Sequence, residues 1–276
     1  MDWIAPIDIT DSRLPSAFDE LSLWSSAFGW LLLRELPLRG GMTVLDVACG
    51  TGFPVLEIAS RLGPHSRVVG VDCWEEALQR ARFKAGFYQL DWVELYQGDA
   101  ANLSFADSAF DLVVSNLGLN NFKEPIAVLK ECARVLKPGG ELLLTTNPQG
   151  HMREFYELFR AVLRDSRWRQ HQAALTANEE HRTSVTRIHQ WLCEAGFEPT
   201  RTVCDEMKLW YADSAALFRH PLTRVGFLAG WAAVIPEEER PPVFETLRNR
   251  IDEAARPHGL TTTIPVVLIA ARKPAK

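Results

Sequence analysis

The feature that most constrains this chain is a short apolar strand that runs into a glycine turn. Residues 44–54 read VLDVACGTGFP, with Gly50 and Gly52 in the turn and a helix predicted to follow. A second strand, predicted over residues 67–72, ends in Asp72, twenty residues past Gly52. Glycines let a backbone approach a ligand closely, and an acid at the next strand's tip can accept hydrogen bonds from two ribose hydroxyls. The spacing therefore predicts a βαβ unit that binds a nucleoside.

Apolar strands and helices alternate along the rest of the chain. Strands are predicted at residues 43–47, 68–72, 93–96, 112–115, 141–145, 200–207 and 264–271. Helices are predicted at residues 15–36, 54–62, 75–85 and 125–136, with further helical blocks at 150–195 and 213–257. Because apolar strands interleaved with helices are covered on both faces, this order predicts an α/β fold with a parallel sheet.

The change from alternating strands and helices to longer helical segments also predicts a domain organisation. We expect an N-terminal helical cap at residues 1–36 and one main domain at residues 37–276. Helical insertions at about 150–195 and 208–260 are expected to pack over the ligand end of the sheet. Long segments between the strands of a compact domain usually have a functional role, which favours this placement.

The net charge and the cysteine content limit which partners and which kinds of binding site are expected. The net charge of −5 provides no positive field for nucleic acid. Five cysteines, with no C-x-x-C pair, indicate reduced thiols and neither a disulfide framework nor a zinc site. We therefore expect a cytoplasmic protein that binds no metal ion and no nucleic acid.

Two segments bear on the questions of secretion, membrane insertion and partner binding. The N-terminal residues 1–6 show no signal-peptide pattern, so none is expected. The near-apolar run at residues 225–235 is too short to span a bilayer. That run could be buried within the chain or in a homodimer interface.

The glycine turn differs from that of a dinucleotide-binding enzyme. The third glycine of such a fingerprint is replaced by Val55, and an acid, Asp46, precedes Gly50 by four residues. The third glycine normally permits close helix–strand packing around a pyrophosphate. Its absence argues for a cofactor that has no pyrophosphate and against an NAD-type oxidoreductase.

Five segments in order resemble the motifs of class I S-adenosylmethionine-dependent methyltransferases. The resemblance is to the small-molecule group that is similar to the ubiquinone/menaquinone C-methyltransferases. The segments are LDVACGTG at 45–52, VGVD at 69–72, QGDA at 97–100, FDLVVSN at 110–116 and RVLKPGG at 134–140. This resemblance implies a doubly wound, seven-stranded, mostly parallel sheet of Rossmann-like type, with the last strand antiparallel and a helical cap.

The resemblance also implies S-adenosylmethionine as cofactor and a role for each motif. Asp46 would act on the ammonium group, Asp72 on the ribose and Asp99 on the adenine amine. The backbone of the glycine turn would pass under the methionine moiety. The implied cofactor-binding residues are Asp46, Ala48, Cys49, Gly50, Thr51, Gly52, Asp72, Cys73, Trp74, Gly98, Asp99, Ala100, Asn116 and Leu117.

Methyl transfer from a sulfonium is a direct in-line displacement that depends chiefly on positioning and on a dry site. A general base is needed only when the nucleophile must lose a proton early. Asn116 and His151 are the candidate catalytic residues, because Asn116 follows strand four and His151 follows strand five. Residues 115–118 read SNLG and lack the Asn/Asp-Pro-Pro-Tyr motif, which argues against nucleobase N-methylation.

The predicted function is methylation of a small, partly apolar metabolite at oxygen or carbon. Aromatic residues are concentrated in the N-terminal helix and at residues 155–168 and 210–231. They could form the packing core of the helical segments or close an apolar acceptor pocket. The alternatives are a non-enzymatic protein of the same fold that binds the cofactor and, less favoured, the NAD-type oxidoreductase.

Overall fold

The computed structural model describes residues 7–8, 10–19 and 22–275, and they fall into two compact units. The sheet unit comprises residues 12–147, 184–205 and 266–276. The helical unit comprises residues 148–183 and 206–265 together with the described part of residues 1–11. The expectation about a signal peptide concerns residues 1–6, which lie outside the described residues. The predicted boundary at residue 36 and the predicted placement of the insertions stay predictions.

The described residues contain one sheet of seven strands in the order β3-β2-β1-β4-β5-β7-β6. The strands are β1 (Thr43–Val47), β2 (Arg67–Asp72), β3 (Val93–Gln97), β4 (Phe110–Asn116), β5 (Leu136–Thr146), β6 (Glu198–Tyr211) and β7 (Leu260–Arg272). Strands β1 to β5 pair in parallel, and β7 pairs antiparallel with β5. The predicted doubly wound sheet with an antiparallel last strand is confirmed.

Twelve α-helices occur among the described residues. In the sheet unit they are α1 (Leu14–Asp19), α2 (Ser22–Glu35), α3 (Val55–Leu62), α4 (Glu75–Phe87), α5 (Pro125–Val135) and α8 (Val185–Glu194). In the helical unit they are α6 (Arg153–Val162), α7 (Gln172–Glu180), α9 (Ser214–Arg219), α10 (Pro221–Gly226), α11 (Leu228–Ala233) and α12 (Arg240–Ala254). The range 15–36, predicted as a single helix, is helical over its described residues in α1 and α2, and residues 20–21 between these ranges are not described.

Strand β5 begins earlier than its sequence pattern predicts. The KPGG turn at residues 137–140 was expected to separate helix from strand, yet Leu136 already pairs with Phe110. A register shift between Phe110 and Leu112 accommodates the extra residues, and Gly139 takes a positive φ of 77°. The turn therefore lies inside β5, because a β-bulge accommodates extra residues that regular pairing of the two strands could not.

The strands of the sheet unit are apolar on both faces, as expected for parallel strands covered by helices. Val44, Leu45 and Val47 of β1 are fully buried, as are Val68 and Val69 of β2. On one face, residues of α5 and α8 complete the apolar core. This packing holds the carboxyl ends of the strands at one edge, where the residues predicted to bind the cofactor lie.

The aromatic residues after β5 form the core of the helical unit. Phe155 stacks on Trp231 with ring centroids 3.9 Å apart, and Phe159 contacts Phe244 at 5.8 Å. The residues that share this burial are Phe155, Tyr156, Phe159, Phe218, Trp231 and Phe244. For all of them except Phe244, which lies outside the predicted aromatic segments, the interpretation as packing core is confirmed.

The apolar run at residues 225–235 lies in α10, α11 and the turn after them. Leu228, Trp231, Val234 and Ile235 of this run are buried. Its contribution to a homodimer stays a prediction. No helix in the part of the chain that the structure describes has the length and apolar content needed to cross a membrane.

Candidate functional site

The turn after β1 has a backbone that only a few residue types adopt. Ala48, Gly50 and Gly52 have positive φ values of 63°, 52° and 105°. The amides of Ala48 and Cys49 both donate to the carbonyl of Val71, at 2.8 and 3.1 Å, which anchors the turn to β2. A Cβ added at Gly52 would stand 2.9 Å from a methyl carbon of Leu56. The turn therefore requires glycine at position 52 for both conformation and space.

Asp72, at the end of β2, connects this turn to the start of α4. Its Oδ2 accepts from the amide of Gly50 at 2.7 Å, and its Oδ1 accepts from the amide of Trp74 at 2.9 Å. The side chain is partly exposed. A carboxylate can accept about four hydrogen bonds, so Asp72 retains acceptor capacity for a ligand.

Asp46 is the most unusual side chain of the site. It is 0% exposed, and neither carboxyl oxygen has a hydrogen-bond partner among the described residues. Burial and then the charge of Asp72 raise the pKa of Asp46 well above its usual range, while the amide of Val55, which lies outside hydrogen-bonding geometry, acts in the opposite direction. A buried acid without a partner is costly. A cationic ligand group would remove that cost, so the residue fits the ammonium of S-adenosylmethionine.

The predicted adenine-proximal residues lie at the ends of β2 and β3. The amide of Gly98 donates to the carbonyl of Asp72 at 3.0 Å. Asp99 is exposed and its Oδ1 accepts from the amide of Ala101 at 2.9 Å. Cys73 is exposed, and Trp74 and Ala100 are partly exposed. These side chains are accessible to a ligand at the same edge of the sheet as Asp72.

Asn116 and Leu117 follow β4, which neighbours β1. The amide group of Asn116 donates to the carbonyl of Ser25 at 3.2 Å and accepts from the hydroxyl of Thr145 at 2.7 Å. Leu117 has a positive φ of 64°. Both polar ends of the Asn116 side chain are thus engaged within the protein, so it can position its neighbours more readily than it can carry a proton.

The strand order reverses between β1 and β4, which is the topological switch point where α/β sheets bind ligands. Ala48 and Leu117 leave these two strands in left-handed conformations that non-glycine residues seldom adopt. A Cβ added at Gly118 would lie 3.0 Å from that of Ala48. Strain of this kind is concentrated at functional sites, and here it marks the predicted site.

His151 differs from the other predicted residues, because it belongs to the helical unit. It is 3% exposed, and its ring lies 4.7 Å from that of Phe227. Burial, followed by the charge of Arg182, lowers the pKa of His151 well below its usual range. Such an imidazole is a weak base. All other predicted site residues belong to the sheet unit.

Sequence reasoning missed Asp19, at the end of α1. Its carboxylate accepts from the Nζ of Lys84 at 2.6 Å, from the hydroxyl of Thr51 at 2.9 Å and from the Nε of Arg80 at 3.0 Å. Burial opposes ionisation, but the hydrogen bonds and charges of these partners prevail and lower the pKa of Asp19. A lone acid in an amphipathic helix has no sequence signal that could have revealed this role.

No group of His, Cys, Asp or Glu side chains in the described residues is arranged to hold a metal ion.

A family model described as a methyltransferase domain matches residues 38–196, which is more than half of the chain. Among characterised relatives, the demethylmenaquinone methyltransferase of Listeria welshimeri is 36% identical over 132 residues. That alignment covers 48% of this chain and 56% of the relative. The chain therefore spans about half the length of the curated relatives it matches.

Solved structures resemble this one over most of the chain. A protein of Bacillus halodurans C-125 described as a methyltransferase has a TM-score of 0.61 and 25% identity, covering 90% of this chain and 99% of that one. An S-adenosylmethionine-dependent methyltransferase of Methanosarcina mazei has a TM-score of 0.55 and 20% identity, with coverages of 89% and 98%. The second likeness concerns the fold alone.

Proposed function

The chain belongs to the methyltransferase-domain family that matches residues 38–196, and we propose that it methylates a small, partly apolar metabolite at oxygen or carbon, with S-adenosylmethionine as donor. The observation that carries this proposal is the buried, unpartnered carboxyl of Asp46 beside a strained glycine turn at the switch point. A cationic amino-acid ligand would satisfy that carboxyl. A dinucleotide would leave it without a partner.

The proposal assigns the binding of the donor to residues of the sheet unit. Asp46 would hold the ammonium group directly or through water, and Asp72 would accept from the ribose hydroxyls. The turn at residues 48–52 would lie under the methionine moiety. The adenine would be held by Asp99, with side chains at its faces from Cys73, Trp74 and Ala100.

When bound, S-adenosylmethionine supplies an electrophilic methyl group on a positively charged sulfur. The protein's contribution is then to orient the acceptor, hold it in line and exclude water. Asn116 and Leu117 would border the transferring methyl. Because the amide of Asn116 is held at both ends, its role in the proposal is positional. His151 is retained as a candidate base, although its lowered pKa suits only an acceptor that loses its proton readily.

The acceptor is proposed to be an aromatic metabolite of quinone-like or polyketide-like type. The likeness to the Listeria demethylmenaquinone methyltransferase supports a quinone as the first compound to test. The predicted N-terminal cap at residues 1–36 and the insertions at about 150–195 and 208–260 are proposed to shape acceptor choice. Methylation of quinone and phenol acceptors, followed by mass spectrometry of the product, would identify the atom that is modified.

The deciding experiment is a calorimetric titration of the purified protein with S-adenosylmethionine, S-adenosylhomocysteine and NAD. We expect the first two to bind and NAD not to bind. Binding of NAD alone would favour an oxidoreductase. Cofactor binding without turnover of any acceptor in a broad screen would favour a non-enzymatic protein of the same fold. Binding of none of the three would refute the proposed function.

A further inference from the structure

Helix α1 contacts two segments of the proposed cofactor site that are far apart in sequence. The ring of Phe18 meets that of Trp74 edge to face, with centroids 6.4 Å apart. The carboxylate of the next residue, Asp19, accepts from the hydroxyl of Thr51 in the glycine turn at 2.9 Å. One short helix thus contacts both the turn proposed to lie under the methionine moiety and a residue proposed to line the adenine.

Helix α2 contacts the glycine turn as well and adds a third segment of the same site, the end of β4. The carbonyl of Ser25 accepts from the side-chain amide of Asn116 at 3.2 Å. Gly29 lies directly against the ring of Phe53, so that any added Cβ would overlap the ring. We call α1 and α2 (Leu14–Asp19 and Ser22–Glu35) the N-terminal clamp. Its contacts involve the glycine turn and the ends of β2 and β4.

Asp19 is the charged centre of this clamp. Its side chain is only 13% exposed, and the three donors that surround it come from the glycine turn and from α4. Lys84 and Arg80 neutralise its charge, while the hydroxyl of Thr51 is the contact that reaches the turn. Three simultaneous hydrogen bonds fix the carboxylate, which in turn fixes the orientation of the Thr51 side chain.

We propose that Asp19 is a positioning residue for S-adenosylmethionine, which orders the glycine turn through the hydroxyl of Thr51 before the cofactor binds. Asp19 acts through Thr51 and need not touch the cofactor. Affinity depends on such ordering, because a turn that is already fixed loses less conformational freedom on binding. The inference rests on the proposed function, since it requires that the turn binds this cofactor.

The test compares Asp19→Asn with Asp111→Asn in the full chain. Asp111 is a matched control: its side chain is 20% exposed, and it accepts from the amide of Thr43 and from Lys137, each at 2.8 Å. It lies near the amino ends of β1 and β4, at the opposite edge of the sheet from the site. In Asp19→Asn the amide nitrogen must face either Arg80 or the pair Thr51 and Lys84, so at least one hydrogen bond is lost and those that remain no longer involve a charged acceptor.

We expect Asp19→Asn to raise the dissociation constant for S-adenosylmethionine about tenfold, as suits the loss of one hydrogen bond to a charged group. Asp111→Asn should lower the melting temperature about as much as Asp19→Asn does, but it should leave the dissociation constant for S-adenosylmethionine unchanged. Wild-type affinity in a folded Asp19→Asn protein would overturn the inference. Equal weakening by both variants would overturn it as well, because the effect would then be one of general stability.

Variants of Thr51 separate positioning from folding and cover the case in which Asp19→Asn fails to fold. Thr51→Val removes the hydroxyl and should weaken binding about tenfold, whereas Thr51→Ser should restore most of the affinity. When Asp19→Asn and Thr51→Val are combined, their losses of affinity should not add, because both changes remove the same contact. Additive losses, or a normal affinity of Thr51→Val, would reject the coupling. If the wild type binds no S-adenosylmethionine, the proposed function itself fails, which is a different result from any of these.

Discussion

Replacing Asp46 with asparagine should have opposite effects on the stability of the free protein and on cofactor binding. Asp46 is 0% exposed and both of its oxygens lack partners, so its ionisation is opposed in the folded state. Asparagine keeps the shape and cannot ionise. The free protein should gain stability at pH 8, by about 1.4 kcal/mol for each unit by which burial raises the folded-state pKa of Asp46. For a chain of this size, each kcal/mol of added stability should raise the melting temperature by about 2–4 °C.

The pH dependence follows from the direction of the shift. The pKa of Asp46 is raised in the folded state above its usual value of 3.8. Below pH 3.8 the carboxyl is protonated in both states, and its contribution to stability is fully present. As the pH rises, the unfolded chain ionises first, so the free energy of unfolding falls until the pH passes the folded-state pKa. Asp46→Asn should remove this part of the pH dependence.

Cofactor binding should respond in the opposite sense. An ammonium group beside Asp46 favours the ionised carboxylate, so S-adenosylmethionine should expel the proton that the free protein holds there. Titrations in buffers of different ionisation enthalpy would detect that proton for the wild type and not for Asp46→Asn. The variant should also bind the cofactor at least about tenfold more weakly, because it loses a charge-assisted contact.

Two assays therefore decide the matter: denaturation of the free protein at pH 5 and pH 8, and calorimetry with S-adenosylmethionine. Asp111→Asn is again the control, since its carboxylate is paired with Lys137 and its removal should destabilise the protein. If Asp46→Asn is no more stable than the wild type at pH 8 and binds the cofactor normally, the reasoning about a buried unpartnered acid is wrong.

Three further substitutions test other parts of the structure. Asp72→Ala should leave a folded protein but weaken S-adenosylmethionine binding at least about tenfold, because it removes both the proposed ribose acceptor and a support of the glycine turn; unchanged affinity in calorimetry would exclude that role. Gly52→Ala should cost about 1–3 kcal/mol in chemical denaturation, since φ is 105° and the new Cβ would stand 2.9 Å from Leu56. Phe155→Ala should cost about 3–5 kcal/mol, because it empties a buried site stacked on Trp231 at 3.9 Å. A thermal transition within 2 °C of the wild type, roughly what a loss below 1 kcal/mol would give, would contradict this account of the helical unit's core.

Features that depend on contiguous residues were predictable from the sequence. The apolar runs of β1 and β2 predicted their strands to within one residue, and the glycines predicted the turn between β1 and α3. Strand propensity, helix periodicity and turn conformation are set by near neighbours along the chain. The resemblance of five ordered segments then implied the seven-stranded sheet, which the structure confirms.

Features that depend on distant residues were not predictable in this way. The early start of β5 arises from a register shift against β4. Five aromatic residues of the helical unit that suited either a core or a pocket proved to be core: Phe155, Tyr156, Phe159, Phe218 and Trp231. Whether a side chain is buried depends on the residues that pack around it, and a single sequence does not show which residues those are.

The sequence by itself determined that this protein has an α/β sheet with a glycine turn and an acid at the next strand's tip. Only the tertiary structure decided that Asp46 has no hydrogen-bond partner among the described residues and that Asp19 reaches Thr51, 32 residues along the chain. The physical reason is that backbone conformation is governed largely by local sterics. Desolvation and hydrogen bonding between side chains depend on which segments the folded core brings together.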